Sequence, residues 1–234
     1  MEKKIIVYGC SHSNGVGPIE NISYTQILSE KQNLSLIKRY TNSFTNDLII
    51  KLFLFDFYKI NKFDIFSNLE SVIFDFKESD IVIFQLTSWM RNSVKIKQHN
   101  VPILLHADYL NFHTNIYDEA QGKKLNLYRD LFFYFTDSKY TAYKTIFDIR
   151  EYQKILEEKN IKSIILIWDE FQDDEFLTKI GLKNYIKDIF LKSEYLKLQN
   201  KHSDLKMHNE DLHLSKEGNE WLASEINNLI CYLK

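Results

Sequence analysis

Three short apolar runs constrain this chain most. Ile5-Ile6-Val7-Tyr8, Ile81-Val82-Ile83-Phe84 and Ile164-Ile165-Leu166-Ile167-Trp168 place apolar side chains at successive positions, with no polar alternation. Successive side chains of a strand point to opposite faces, so such a run is a strand covered on both faces. Helices cover both faces in α/β folds with a parallel sheet. Each run ends in polar residues: Gly9-Cys10-Ser11-His12-Ser13 after the first, Thr87-Ser88 after the second, and Asp169-Glu170 after the third. In open α/β sheets ligands collect at the carboxyl ends of the strands. The first two exits are therefore where chemistry is expected, while Asp169-Glu170 reads as solvated charge.

The intervening segments supply helices. Apolar residues predict helices over 24–31, 48–60, 69–76, 181–192 and 125–158, the last interrupted near Thr136-Asp137-Ser138. A second strand is expected over 34–37, then a polar loop over 39–47 in which Asn46 or Asp47 caps the next helix. Residues 101–117 show no clean period. Asp173-Asp174-Glu175 lacks the glycine turn and ligand spacing of a calcium loop and reads as solvated or helix N-terminal charge. Ser215 precedes a closing helix with Trp221, Leu222, Ile226, Leu229 and Ile230 on its apolar side. The expected organisation is one domain, 1–234, with a helical, aromatic-rich insertion at about 101–159. Its aromatic density suits a core, a subunit interface in a homo-oligomer, or a wall for a substrate.

A net charge of −2 gives no reason to expect nucleic acid or an anionic membrane surface as partner. The two cysteines, Cys10 and Cys231, form neither a disulfide framework nor a metal knuckle, so a reducing compartment is the default. Met1-Glu2-Lys3-Lys4 leads straight into the first strand without a signal-peptide core, and no apolar run is long enough to span a bilayer. The expectation is a cytoplasmic protein without an integral membrane segment. Gly9, Gly15 and Gly17 lack the spacing of a dinucleotide fingerprint or a phosphate loop.

Ser11, in a turn at a strand's carboxyl end, is a candidate nucleophile. His213 lies in a loop before the closing helix, with Glu210 and Asp211 upstream. A carboxylate can hold one imidazole nitrogen while the other faces a serine. Taken in order, these pieces resemble the SGNH/GDSL hydrolase family. Gly9-Cys10-Ser11-His12-Ser13 is similar to the family's first block, with Cys where Asp is usual. Asp211-Leu212-His213-Leu214-Ser215-Lys216-Glu217-Gly218 is similar to its last. The family's separation of acid and base selects Glu210, whereas its commoner residue type selects Asp211. The middle blocks depart: Ser43 or Thr45 stands where a Gly N–H is usual, and Thr87 and Ser88 where an Asn is usual.

The resemblance implies a three-layer α/β/α sandwich with a mostly parallel central sheet. It implies a serine esterase or O-acyltransferase with Ser11 as nucleophile, His213 as base, and Asp211 or Glu210 orienting it. Oxyanion or substrate contacts would come from Ser43, Thr45, Asn46, Thr87, Ser88 and Arg91. The expected substrate is a small-molecule or glycan ester, with O-acetyl groups of a carbohydrate favoured. No metal or bound cofactor is expected, and acetyl-CoA is the acyl donor for a transferase. The alternative is an inactive binding or assembly protein on the same fold.

Overall fold

The computed structural model describes residues 3–10, 13, 23–40, 45–60, 74–89, 92–94, 103–105, 134, 137–189, 214 and 216–232. In chain order the elements are β1 (Lys4–Gly9), α1 (Tyr24–Gln32), β2 (Ser35–Tyr40), α2 (Asn46–Tyr58), β3 (Ile81–Gln85), β4 (Asn92–Val94), β5 (Ile103–Leu105), α3 (Ser138–Glu158), β6 (Lys162–Leu166), α4 (Asp174–Ile180), β7 (Tyr185–Ile186) and α5 (Lys216–Tyr232). Five strands form one parallel sheet in the order β2-β1-β3-β6-β7. Strands β4 and β5 pair separately and antiparallel. The chain thus has the three-layer α/β/α architecture expected from its sequence.

The apolar runs are covered on both sides. Ile6, Tyr8, Val82, Phe84 and Ile165 join one buried cluster with Leu48, Phe53, Ile146 and Leu177 of α2, α3 and α4. Ile5, Val7, Ile81, Ile83 and Ile164 join another with Tyr24 and Leu28 of α1 and Leu222 and Ile226 of α5. Right-handed crossovers account for this split: the chain moves one way across the sheet from β1 to β2 and the other way afterwards. Phe53 is the hub of the first cluster, with ring centroids 5.5 Å from Tyr8 and 5.0 Å from Phe84. Asp80 fixes the opposite end of the sheet, accepting from Lys4 N at 3.1 Å and Lys77 N at 2.9 Å.

Several boundaries differ from the sequence-based expectation. The second strand extends to Tyr40, because Arg39 and Tyr40 are buried beside β1 rather than in a loop. Helix α2 is capped by Thr45, whose hydroxyl accepts from Leu48 N at 3.3 Å, not by Asn46 or Asp47. Residues 74–77 are not helical, and 69–73 lie outside the described residues. No helix covers 181–188: Gly181, at φ 70°, ends α4 in the left-handed region that suits glycine. The chain then adds β7 to the sheet edge, Ile167 N donating to Ile186 O at 2.8 Å. The expected break near 136–138 is the start of α3, capped by Asp137. Asp173 caps α4, with Asp174 and Glu175 in its first turn, where the helix dipole favours them. Ser215 lies outside the described residues. Among the described residues no helix is long and apolar enough to cross a membrane, and no cluster of three His, Cys, Asp or Glu side chains could hold a metal.

One ion pair lies beneath the α2 face. Arg39 meets Asp56 through two bonds, Nε to Oδ2 at 2.7 Å and Nη2 to Oδ1 at 2.6 Å, and Tyr8 OH donates to the same Oδ2 at 2.9 Å. The side chains are 6% and 10% exposed, so both charges depend on this geometry for the solvation they have lost. Asp56→Ala is expected to lower stability in urea denaturation by about 3 kcal/mol, whereas Arg39→Met with Asp56→Leu should recover most of that loss. A change below about 0.5 kcal/mol for the single variant would contradict this account.

Candidate active site at the β1 and β3 exits

The crevice is set by topology. From β1 the chain goes to β2 on one side, and β3 lies on the other, so β1 and β3 border the switch point where α/β sheets bind ligands. Tyr8 is paired with Phe84, which brings the last residues, Gly9 and Gln85, alongside each other. Gly9 follows Ile5 and Val7 in the alternation and so faces the α1 and α5 layer. A Cβ on Gly9 would fall on Ser13 Oγ and lie 3.3 Å from Gln85 Cβ. Glycine is required here by space, because Ser13 folds back into the volume a side chain would fill.

Ser13 is wholly buried, and its N–H donates to Cys10 O at 3.0 Å. Its hydroxyl donates to Gln85 Oε1 and lies 3.0 Å from Tyr24 OH, which itself donates to Gln85 Oε1 at 3.0 Å. Thr25 Oγ1 donates to Ser13 O at 3.3 Å and lies 3.3 Å from Tyr40 OH. Burial pushes the Tyr24 hydroxyl well above the usual tyrosine value, with the Ser13 hydrogen bond opposing it. Gln85 Nε2 is the one buried side-chain polar atom without a partner among the described residues. Leaving such a donor unmet costs about 1–3 kcal/mol.

The exit of β3 is held from both sides. Asn46 Oδ1 accepts from Thr87 N at 2.7 Å, while its Nδ2 donates to Thr87 O at 3.1 Å and lies 3.5 Å from Ser88 O. Trp89 N donates to Asp169 Oδ2 at 2.9 Å, and its indole N–H to Glu170 O at 3.3 Å. The structure therefore brings Thr45, Asn46, Thr87 and Ser88 to one sheet edge, with the Asn46 amide engaged by main chain. Ser11, Ser43, Arg91, Glu210, Asp211 and His213 lie outside the described residues. Cys10 and Ser13 flank Ser11, and Leu214 follows His213. Leu214 is buried in the α1–α5 cluster.

The sequence reading passed over Ser13, Tyr24 and Gln85. Gln85 had a visible signal, a polar residue closing an otherwise apolar strand. Tyr24 had none, since its role depends on a hydroxyl reaching another layer.

Beside the β3 exit lies a cleft of about 440 Å³ between the β3 and β6 exits and the start of α3. Trp89 and Phe171 form its buried floor and Tyr143 one wall, while Glu170, Gln172 and Asp173 line its rim. The Phe171 ring centroid lies 6.2 Å from that of Trp89 and 5.4 Å from that of Tyr143. Tyr143 OH donates to Asp173, which raises the phenol and, with the N–H of Phe176, holds the Asp173 carboxyl below its usual range.

No protein-family model matches this sequence, and no curated protein matches it. Solved structures share its fold. A member of the lipolytic protein G-D-S-L family from Veillonella parvula DSM 2008 matches at TM-score 0.50 and 11% identity, over 97% of this chain and 97% of that one. An α/β hydrolase enzyme from the metagenome of Lake Arreo, Spain, matches at TM-score 0.50 and 11% identity, over 100% of this chain and 96% of that one. At this identity the likeness is one of fold: the chain has the α/β fold of G-D-S-L structures.

Two outcomes are expected from the buried cluster. Gly9→Ala should cost about 1–3 kcal/mol in chemical denaturation through overpacking against Ser13; a neutral effect would show that Ser13 does not occupy that space. Tyr8 and Tyr24 both hold their protons more tightly when folded, Tyr8 through burial and then the adjacent Asp56 carboxylate. The unfolded chain ionises near the ordinary value of about 10. Their contribution is thus complete below about pH 10 and is lost as pH rises above it. Ultraviolet titration should show these phenols ionising only as the protein unfolds.

Proposed function

We propose that this chain is a serine-dependent acyl-ester hydrolase, or an O-acyltransferase with the same triad, acting on O-acetyl groups of a carbohydrate. The observation that carries the reading is that β1, whose exit leads to Ser11, borders the switch point together with β3. The Gly9 and His213 blocks of the sequence agree with it, and so does the fold shared with G-D-S-L and α/β hydrolase structures.

In this mechanism Ser11 Oγ attacks the ester carbonyl while His213 removes its proton, and Asp211 or Glu210 orients the imidazole. The developing oxyanion is met by the Ser11 N–H and by donors from the Ser43–Thr45 and Thr87–Ser88 segments. The alcohol leaves with the proton held by His213, and water or a sugar hydroxyl takes the acyl group from the serine ester. Arg91 contacts the substrate. No bound cofactor takes part, and acetyl-CoA is the acyl donor if the enzyme is a transferase.

The carbohydrate reading is supported by the cleft beside the β3 exit. Its volume is in the ligand-binding range. A buried aromatic floor suits the apolar face of a sugar ring, and a rim of carboxylate and amide groups suits its hydroxyls. Neighbouring strands are about 5 Å apart, so the β6 exit is roughly 10 Å from β1. An ester carbonyl at Ser11 and a sugar ring in the cleft can belong to one molecule. The rival reading, a binding protein without the chemistry, draws on the Asn46 amide being engaged by Thr87.

A fluorophosphonate probe read by intact mass tests the reading. One adduct is expected on the wild type and none on Ser11→Ala or His213→Ala, with esterase turnover lowered about 10⁴-fold or more in each. Turnover should decline on the acid side as His213 is protonated. Tyr143→Ala should raise KM for an O-acetylated sugar several-fold and leave that for a simple aryl acetate unchanged. A folded wild-type protein that takes no label would favour the binding-protein reading.

A further inference from the structure

Helices α1 and α5 touch at both ends, and the two ends differ. At the far end, Gln32 donates to Asn227 on the partly buried surface. At the near end, Asn219 is 1% exposed and bonds in two directions: its Oδ1 accepts from Tyr24 N at 3.0 Å, and its Nδ2 donates to Leu214 O at 3.2 Å. Tyr24 is the first residue of α1, and its N–H has no partner within the helix. Asn219, 195 residues later, takes that donor. The same tyrosine carries the hydroxyl that meets Ser13 and Gln85.

These bonds form one continuous buried path. It runs from Leu214 O through the Asn219 amide to Tyr24, through the Tyr24 hydroxyl to Ser13 and Gln85, and from Ser13 N back to Cys10 O. Ser13, Tyr24 and Gln85 are fully buried, so water does not compete for these bonds. The path begins one residue after His213 and ends on Ser13 and Cys10, which lie on either side of Ser11 in the sequence. We infer that Tyr24 and Asn219 are positioning residues that hold the Ser11 and His213 segments at a fixed separation. This inference rests on the proposed roles of Ser11 and His213. Neither Tyr24 nor Asn219 touches substrate; each acts through the main chain it holds. A serine nucleophile and its base require hydrogen-bond reach, and small misplacements of such groups cost large factors in rate. The two come from opposite ends of the chain, so a bond between the two helices is the shortest way to set their distance.

The test compares Tyr24→Phe, Asn219→Asp and Gln32→Ala. The first removes only the bridging hydroxyl. The second keeps the acceptor for Tyr24 N–H and removes the donor to Leu214 O. The third breaks the far contact of the same helix pair and serves as the structural control. Three readouts are taken: the rate of fluorophosphonate labelling, kcat and KM on an aryl acetate, and hydrogen exchange over residues 10–14 and 208–215. Tyr24→Phe and Asn219→Asp should each slow labelling and lower kcat at least tenfold. KM should stay within about twofold, exchange should quicken in both segments, and Gln32→Ala should behave as wild type. Wild-type rates in the two variants, or slowing no greater than in Gln32→Ala, overturn the inference. If wild-type protein takes no label, the hydrolase reading falls, and exchange alone decides the brace. Faster exchange in both segments upholds it, and unchanged exchange overturns it.

Discussion

A parallel sheet covered on both faces leaves almost no room for polar side chains along its strands. Every position of β1 and β3 looks into an apolar layer, so a polar group is admitted only where a strand ends. Gln85 is such a group, the last residue of β3, and it is fully buried. Its carbonyl is met by two hydroxyls, and one of them, Ser13, has space only because Gly9 lacks a Cβ. The missing methyl at Gly9 thus leaves the space in which Ser13 folds back against the ends of β1 and β3.

The sheet edges are held by main-chain bonds to short polar side chains more than by exposed charge. Asp80 ties two segments at the amino end, and Asn46 clasps Thr87 from both sides at the carboxyl end. The i,i+4 pairs Lys51–Asp47 and Lys179–Glu175 are solvent-exposed, and such pairs contribute at most about 1 kcal/mol. Buried Asn and Asp side chains bonded to main chain fix geometry over a few ångströms, which is what a crevice between two strand exits demands. Rigid walls also suit the cleft beyond Trp89, whose indole is fixed by Glu170 O and whose floor is closed by Phe171.

Much of this was legible in the sequence, for a definite reason. Uninterrupted, β-branched apolar runs suit a strand covered on both faces, so β1, β3 and β6 were legible over short windows, while the three-layer arrangement was what the family resemblance implied. The polar exits followed as well, since polarity can return only where burial ends. An interruption near 136–138 was legible, though not that α3 starts there with Asp137 as its cap, and helix N-terminal charge was one reading of Asp173-Asp174-Glu175, which lies at the start of α4. The strand character of Arg39 and Tyr40 was not, because a charged residue enters a strand here only by meeting Asp56 from another layer. Nor was β7, a two-residue strand whose pairing is decided by β6 rather than by its own sequence.

The sequence by itself determined the buried strands, the polar residues at their ends and the candidate serine and histidine near the two ends of the chain. These are local matters: each depends on side-chain type and spacing over a few residues. Tertiary structure alone decided that Gly9 makes way for Ser13, that Asn46 clasps Thr87, and that Asn219 reaches Tyr24 across nearly the whole chain. Those depend on contacts between distant segments, and no pattern of neighbouring residues encodes the distance at which two layers meet.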